Sequence, residues 1–313
     1  MKKITVLLLF ILILSPVLQA CSFIAPAPTT TQATIPITEP TQPPTTEAPT
    51  APPPEIQANA AIVFDIKNRK IVYKYNDTIR IAPASITKLL TACLALEHLT
   101  TDTGITVGTE LSLLQPNSSL CLLAQGHRLT LLDMLYGLLI QSGNDAAYTI
   151  AVTVARKASG DDTLSDTQAV AYFTQMMNDF ALEIGMKDSH FTSPDGYDTS
   201  EQYVTAADIL VLAMQVKRYP ILNTIMATVE RNAVFLTGET IVWKNTNLFL
   251  LPDSIYYNPN VYGMKTGTTA NAGTCLLTSY NDGNDDLIVF VAGCATDESR
   301  YEQTKLLLSW ATQ

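Results

Sequence analysis

The chain has 313 residues, 47% of them hydrophobic and 15% charged, with a net charge of −10. No basic patch is visible, which excludes nucleic acid as an expected partner, and the acidity bears on solubility rather than on fold. None of the five cysteines forms a close-spaced pair of metal-ligand type. With no nucleotide-binding loop either, neither a metal nor another cofactor is expected.

Lys2 and Lys3 precede the apolar run Val6–Leu14, the layout of an export signal rather than of a spanning helix. Leu18-Gln19-Ala20-Cys21 resembles a bacterial lipobox, so residues 1–20 are read as a lipoprotein-type signal peptide. Cys21 is then the lipidated first residue of the mature protein, which sits on the outer face of the cell membrane, anchored by that lipid. Removing Lys2 and Lys3 leaves 17 basic and 29 acidic residues, a net charge of −12. Residues 22–55 hold 10 of the 17 prolines and 9 threonines. Such a segment buries too little apolar surface to offset its ordering entropy, so 21–55 reads as a lipidated cysteine and an extended linker. At the polyproline rise it reaches on the order of 100 Å.

Residues 56–313 are long enough for one sizeable core or two subdomains around a cleft. Ala60–Ile66 and Lys70–Tyr75, rich in β-branched and aromatic residues around a short polar turn, predict an antiparallel hairpin. From Ser85, the apolar Ile86, Leu89, Leu90, Cys93 and Leu94 recur at helical spacing. Thr130 and Asp133 resemble a capping box opening a helix through Ile140. Further helices are predicted over 145–158, over 167–184 (stopped by Gly185) and over 205–218 (stopped before Pro220). Gly273–Tyr280 and Leu287–Gly293 flank a polar turn and predict a second hairpin, and a closing helix covers about 298–311. Strands at both ends with helices between give an α/β (α+β) fold: an antiparallel sheet built from both termini, flanked by helices, with an inserted helical subdomain. Cys93, Cys121, Cys275 and Cys294 read as small core residues.

Three short motifs carry chemistry. In Ser85-Ile86-Thr87-Lys88 the serine and lysine share a helix face, so a lysine whose charge is suppressed by burial and neighbouring cations accepts the hydroxyl proton. The start of that helix presents unpaired N–H groups to a developing oxyanion. Ser142-Gly143-Asn144 lies between two predicted helices, where it aims a hydroxyl and an amide into a cleft; alone, Asn144 would read as a helix cap. Lys265-Thr266-Gly267 stands just ahead of the first strand of the C-terminal hairpin, a lysine and hydroxyl suited to a substrate carboxylate beside a glycine that admits close backbone approach.

Together these form the SxxK, SxN and KTG set of penicillin-recognising serine acyltransferases. The segments APASITKLLTA, LLIQSGNDAA and GMKTGTTANAG, with FTSPDGYD, YVTAADIL and NTNLFL between them, resemble the low-molecular-mass D-alanyl-D-alanine carboxypeptidase family over essentially all of 56–313. The resemblance implies a β-lactamase/DD-peptidase-like fold and a serine peptidase that removes the terminal D-alanine from peptidoglycan stem pentapeptides. Its partners would be that D-Ala-D-Ala peptide and, as covalent inhibitors, β-lactams. Ser85 would be the acylated nucleophile, Lys88 the proton acceptor and Ser142 the relay to the leaving amine. Asn144 would orient Lys88 or the substrate amide. Lys265 would bind the terminal carboxylate and tune the Ser142 proton, aided by the Thr266 and Thr268 hydroxyls beside Gly267, and the N–H groups of Ser85 and Thr268 would form the oxyanion hole. Arg300 would add positive potential behind the lysine strand or form a surface salt bridge. Familiar family members also carry a second β domain and a C-terminal amphipathic anchor, which this sequence does not continue into; the N-terminal lipid would replace the anchor.

Two rivals share parts of this pattern. A class A β-lactamase requires a glutamate that activates deacylating water, and Glu183, Glu201, Glu230 and Glu239 all lack the asparagine context for it. A non-catalytic β-lactam or muropeptide sensor lacks an evident output element. An endopeptidase cutting crosslinks would use the same site. His98, His127 and His190 are scattered and read as structural or surface residues.

Overall fold

Strand β1 (Ala60–Asp65) forms the expected hairpin with β2 (Lys70–Tyr75). The computed structural model describes residues 51–313; the expected signal peptide, Cys21 and the expected linker up to residue 50 lie outside the described residues. After a 3-10 turn, Ala84–Thr87, the chain enters α1 (Lys88–His98). Two three-residue strands, β3 (Gly104–Thr106) and β4 (Arg128–Thr130), pair ahead of α2 (Leu131–Leu139) and α3 (Asn144–Ser159). There follow α4 (Asp166–Ile184), α5 (Ala206–Lys217) and α6 (Pro220–Ala227), then a separate hairpin of β5 (Glu230–Val234) and β6 (Thr240–Lys244). Strands β7 (Val261–Thr269), β8 (Gly273–Asn281) and β9 (Asp286–Cys294) lead into the closing helix α7 (Asp297–Ala311).

The main sheet is antiparallel with strand order β2-β1-β9-β8-β7, so β9 from the C-terminus lies against β1 from the N-terminus. Successive side chains of a strand point to opposite faces, and here both faces are covered. Ile62, Ile288 and Phe290 pack into the large core on the helical side, whereas Ala61, Val63, Val289 and Val291 meet Tyr301, Leu307 and Leu308 of α7. This is why β1 and β9 read as continuous apolar runs instead of alternating ones. Each fully buried Ile or Phe is worth about 1.5–3 kcal/mol, which fixes the register of the two strands. The four cysteines after Cys21 are free and buried.

Several boundaries differ from the sequence reading. Thr130 caps α2 by accepting from the Asp133 amide, but the reciprocal half of the box is absent, and Asp133 instead takes Arg231 at 2.6 Å. Pro220 does not merely stop α5; it opens α6, where its missing N–H costs nothing. Lys265-Thr266-Gly267 stands ahead of the predicted hairpin, as expected, but inside a further strand, β7, at the edge of the sheet. The end of the proline-rich stretch is tied to the domain: Trp310 Nε1 donates to the Ala51 carbonyl at 3.0 Å and the Tyr73 hydroxyl to the Pro54 carbonyl at 3.2 Å.

Candidate active site

Ser85 occupies the 3-10 turn that precedes α1, not the α-helix itself. Residues three apart eclipse in 3-10 geometry, so Lys88 reaches back and its Nζ lies 2.7 Å from Ser85 Oγ. Lys88 is fully buried and also donates to the Asp195 carbonyl at 2.8 Å. Burial lowers its ammonium to about 8, against the opposing pull of Asp195 and then Asp145, which favour the charged form. The suppression therefore comes from desolvation rather than from neighbouring cations. The carbonyl is held in place because Thr91 Oγ1 donates to the Pro194 carbonyl at 2.6 Å. Gly196 follows with φ +88°, and a Cβ there would stand 1.8 Å from the Ala84 carbonyl oxygen, so a side chain is excluded.

Ser142 takes φ +62° between α2 and α3. Its Oγ accepts from Lys265 Nζ at 2.9 Å. Asn144 is the first residue of α3, whose N-cap is Gly143, so it caps nothing. Its backbone amide donates to the Ser119 carbonyl at 2.7 Å, which leaves its side chain lining the cleft. The buried Asp145 accepts the amides of Cys121 and Leu123 at 3.0 and 2.9 Å and so fastens the 117–123 loop along the cleft rim.

Strand β7 crosses directly behind Ser85. A methyl on Gly267 would come within 3.0 Å of the Ala84 Cβ and 3.2 Å of the Ser85 amide nitrogen, so a side chain there would push the turn that carries Ser85 away from β7. Lys265 is only 1% exposed and gives a second bond to the Thr266 carbonyl. Burial first, then Lys88 and Arg300, hold it well below the ordinary lysine range. The groups of this strand that reach the cleft are Thr266 and Thr268, joined by Thr246, whose Oγ1 is 2.8 Å from that of Thr266. Arg300 is buried, not a surface residue: it donates to Thr268 Oγ1 at 3.1 Å and the Gly267 carbonyl at 3.3 Å, and pairs with Asp297 at 3.2 Å.

Of the motif residues, Ser85, Ser142, Asn144, Thr266, Gly267, Thr268 and Arg300 line one cleft, Lys88 and Lys265 lie buried behind its two serines, and Asp195, Ser119 and Thr246 join them unforeseen. Asp195 belongs to Pro194-Asp195-Gly196, which reads as turn chemistry; its only advance sign was the FTSPDGYD segment around it.

A serine–lysine pair faced by a second hydroxyl–lysine pair, on this antiparallel sheet, marks the penicillin-recognising serine acyltransferases. The chain belongs to the D-alanyl-D-alanine carboxypeptidase family, whose model matches residues 45–296. It is 31% identical to the D-alanyl-D-alanine carboxypeptidase DacF of Bacillus subtilis over 82% of this chain and 62% of that protein. It is likewise 31% identical to DacD of Escherichia coli over 83% of this chain and 64% of the relative. It therefore spans less than two thirds of these curated relatives. Among solved structures it is similar to the Streptomyces K15 DD-transpeptidase, with TM-score 0.76 and 25% identity, covering 84% of this chain and 99% of that one. It is also similar to penicillin binding protein 6B from Escherichia coli, with TM-score 0.72 and 30% identity, covering 84% and 80%.

Proposed function

We propose that the chain is a serine D-alanyl-D-alanine carboxypeptidase acting on peptidoglycan stem peptides outside the cytoplasm. The observation that carries this reading is the convergence of two lysine–hydroxyl pairs, Lys88–Ser85 and Lys265–Ser142, on one cleft. Ser85 Oγ attacks the carbonyl of the penultimate D-alanine while neutral Lys88 takes its proton. The Ser85 and Thr268 amides receive the oxyanion. As the C–N bond breaks, Ser142 gives its proton to the leaving nitrogen and regains one from the lysine pair, so the proton lost by Ser85 ends on the product amine. Asn144 holds the substrate amide beside this relay. Thr266, Thr268 and Arg300, with Lys265 behind them and Gly267 leaving room, receive the terminal carboxylate. Water then attacks the ester, one of its protons returning to Ser85 Oγ. Penicillin enters by the same attack, but its leaving amine stays tethered and keeps the ester shielded.

The same reading assigns residues 1–20 to a signal peptide, 21–55 to a lipidated Cys21 and linker, and 56–313 to the catalytic domain. Lys2, Lys3, the apolar run and the lipobox-like end support export and anchoring. Cys21→Ser is expected to leave the protein unprocessed or shed into the medium, and unchanged membrane retention would contradict the anchor.

The activity is tested by offering the protein a pentapeptide ending in D-Ala-D-Ala and a crosslinked peptide dimer. Free D-alanine from the pentapeptide is the expected product. Monomer from the dimer without D-alanine would assign an endopeptidase, and neither product would assign a non-catalytic binder.

A further inference from the structure

Lys88 is surrounded by polar and titratable groups from several elements. Its own turn supplies Ser85 Oγ at 2.7 Å, and the loop before Tyr197 supplies the Asp195 carbonyl at 2.8 Å. The Asp195 carboxylate, Asp145 of α3 and Cys121 of the rim loop add their fields, and Lys265 of β7 feels the Lys88 charge. Burial first, then Asp195, push the phenol of Tyr148 in α3 up, so that group stays neutral beside the carboxylate.

The two carboxylates are held differently. Asp145 Oδ1 accepts the Cys121 and Ala146 amides and its Oδ2 the Leu123 amide, so its charge is spread over three backbone donors. Asp195 is equally buried, at 1% exposed, yet its Oδ1 accepts only the Tyr197 amide, at 3.0 Å, and its Oδ2 meets no protein donor. Among the described residues no lysine or arginine forms a direct ion pair with it. Because that oxygen is shielded, the carboxylate does not present itself to substrate; the cation it acts on is Lys88, which its own carbonyl holds. A charge so little compensated in a low-dielectric site acts over several ångströms without contact. Burial alone would leave Lys88 too weak a base to keep the proton it must take from serine. Its ammonium stands at about 8 because burial is resisted, and Asp195 is the foremost of the groups that resist it.

We propose that the Asp195 carboxylate is the counter-ion of Lys88 and a positioning residue for the chemistry at Ser85. As the bond from Ser85 Oγ to the acyl carbon forms, the serine proton passes to Lys88 Nζ. Asp195 takes no proton and touches no substrate; it steadies the ammonium so created. This rests on the reading of Ser85 as nucleophile and Lys88 as base, and adds to it the group that keeps Lys88 basic enough for the task.

The test is the second-order rate of acylation by a fluorescent penicillin, followed across pH for the full-length protein and for Asp195→Asn. The asparagine keeps an oxygen for the Tyr197 amide and the backbone carbonyl for Lys88, and removes the charge. The rising limb is expected to move about one pH unit toward acid. The plateau should fall about threefold, because a weaker base takes the proton less readily. The two profiles then cross, the variant being about threefold faster near pH 6 and about threefold slower near pH 9. A displaced loop would instead lower the rate at every pH and leave the limb in place. If circular dichroism shows Asp195→Asn unfolded, Asp195→Ser, whose hydroxyl still accepts the Tyr197 amide, replaces it and must move the limb the same way. A limb that stays in place in a folded variant, or moves toward alkali, would overturn the proposal. No acylation of the unaltered protein at any pH would overturn the serine–lysine reading itself, and the counter-ion with it.

Discussion

Lys265 stands behind Ser142 rather than in the cleft: its Nζ donates to Ser142 Oγ at 2.9 Å from a residue only 1% exposed. On the proposed function, a lysine so placed would act on substrate through the hydroxyl in front of it, while Thr266, Thr268 and Arg300, which line the cleft, would meet the carboxylate. The resemblance implies two roles for Lys265, carboxylate binding and tuning of the Ser142 proton, and its burial behind Ser142 supports the second.

Lys265→Ala is therefore expected to lower kcat by about 100-fold or more, in the range lost when a positioned proton donor is removed. The loss should be nearly the same for a peptide ending in a carboxylate and for its C-terminal amide. Arg300→Ala should instead raise KM for the carboxylate peptide and leave the amide little affected. Steady-state kinetics on the two peptides separate the roles, and a Lys265→Ala loss confined to the carboxylate peptide would restore direct recognition.

Lys88 must be neutral to accept the Ser85 proton, and burial places its ammonium at about 8, with Asp195, Asp145 and Cys121 pulling the other way. Its neutral fraction thus falls about tenfold per pH unit below that value, and the acylation rate with it. The second-order rate of penicillin acylation is expected to climb from pH 6 and level off above about 8. The sign for stability is the same. Unfolded Lys88 binds its proton up to the ordinary lysine range and folded Lys88 releases it earlier, so stability from this group rises with pH between the two values. An acylation rate flat from pH 6 to 9 would show that another group takes the proton.

Asp145 is 1% exposed and accepts three backbone amides from the cleft-rim loop and its own helix, those of Cys121, Leu123 and Ala146 at 3.0, 2.9 and 3.0 Å, besides the Cys121 thiol at 3.1 Å. Asp145→Ala strands these donors, each at about 1–3 kcal/mol. A loss of about 3 kcal/mol lowers Tm by roughly 6–12 °C in a domain of this size. Calorimetry is expected to show that fall, with penicillin acylation impaired through the displaced Ser119 and Asn144. An unchanged Tm would mean that the loop is held by other contacts.

The terminal hairpin strands, α1 to α5 and α7 were legible because their apolar spacing is dense and their caps are standard. The β5–β6 hairpin escaped notice since Glu230-Arg231-Asn232 has little strand propensity and packs on one face only. β7 was hidden by Gly263 and Gly267, which weaken any strand pattern, although Gly267 is what lets the strand pass behind Ser85. β3 and β4 are three residues each and fall below any periodic signal. Of the site, the motif residues were legible from their order and flanks. Asp195 was not, because its carbonyl does the visible work on Lys88 and a carbonyl leaves no mark in the sequence.

Two hydroxyls in this cleft lie beside a lysine, Ser85 next to Lys88 and Ser142 next to Lys265, yet the account makes only the first a nucleophile. Each serine faces a buried lysine, but Ser85 stands on the turn against which β7 closes, with its own amide beside Gly267 where the proposed oxyanion hole lies. Mass spectrometry of the protein after incubation with a labelled penicillin, on intact chain and on its peptides, tests this directly. The account predicts one adduct, on the peptide carrying Ser85, abolished by Ser85→Ala and slowed but not relocated by Ser142→Ala; an adduct on Ser142, or one that survives Ser85→Ala, would contradict it.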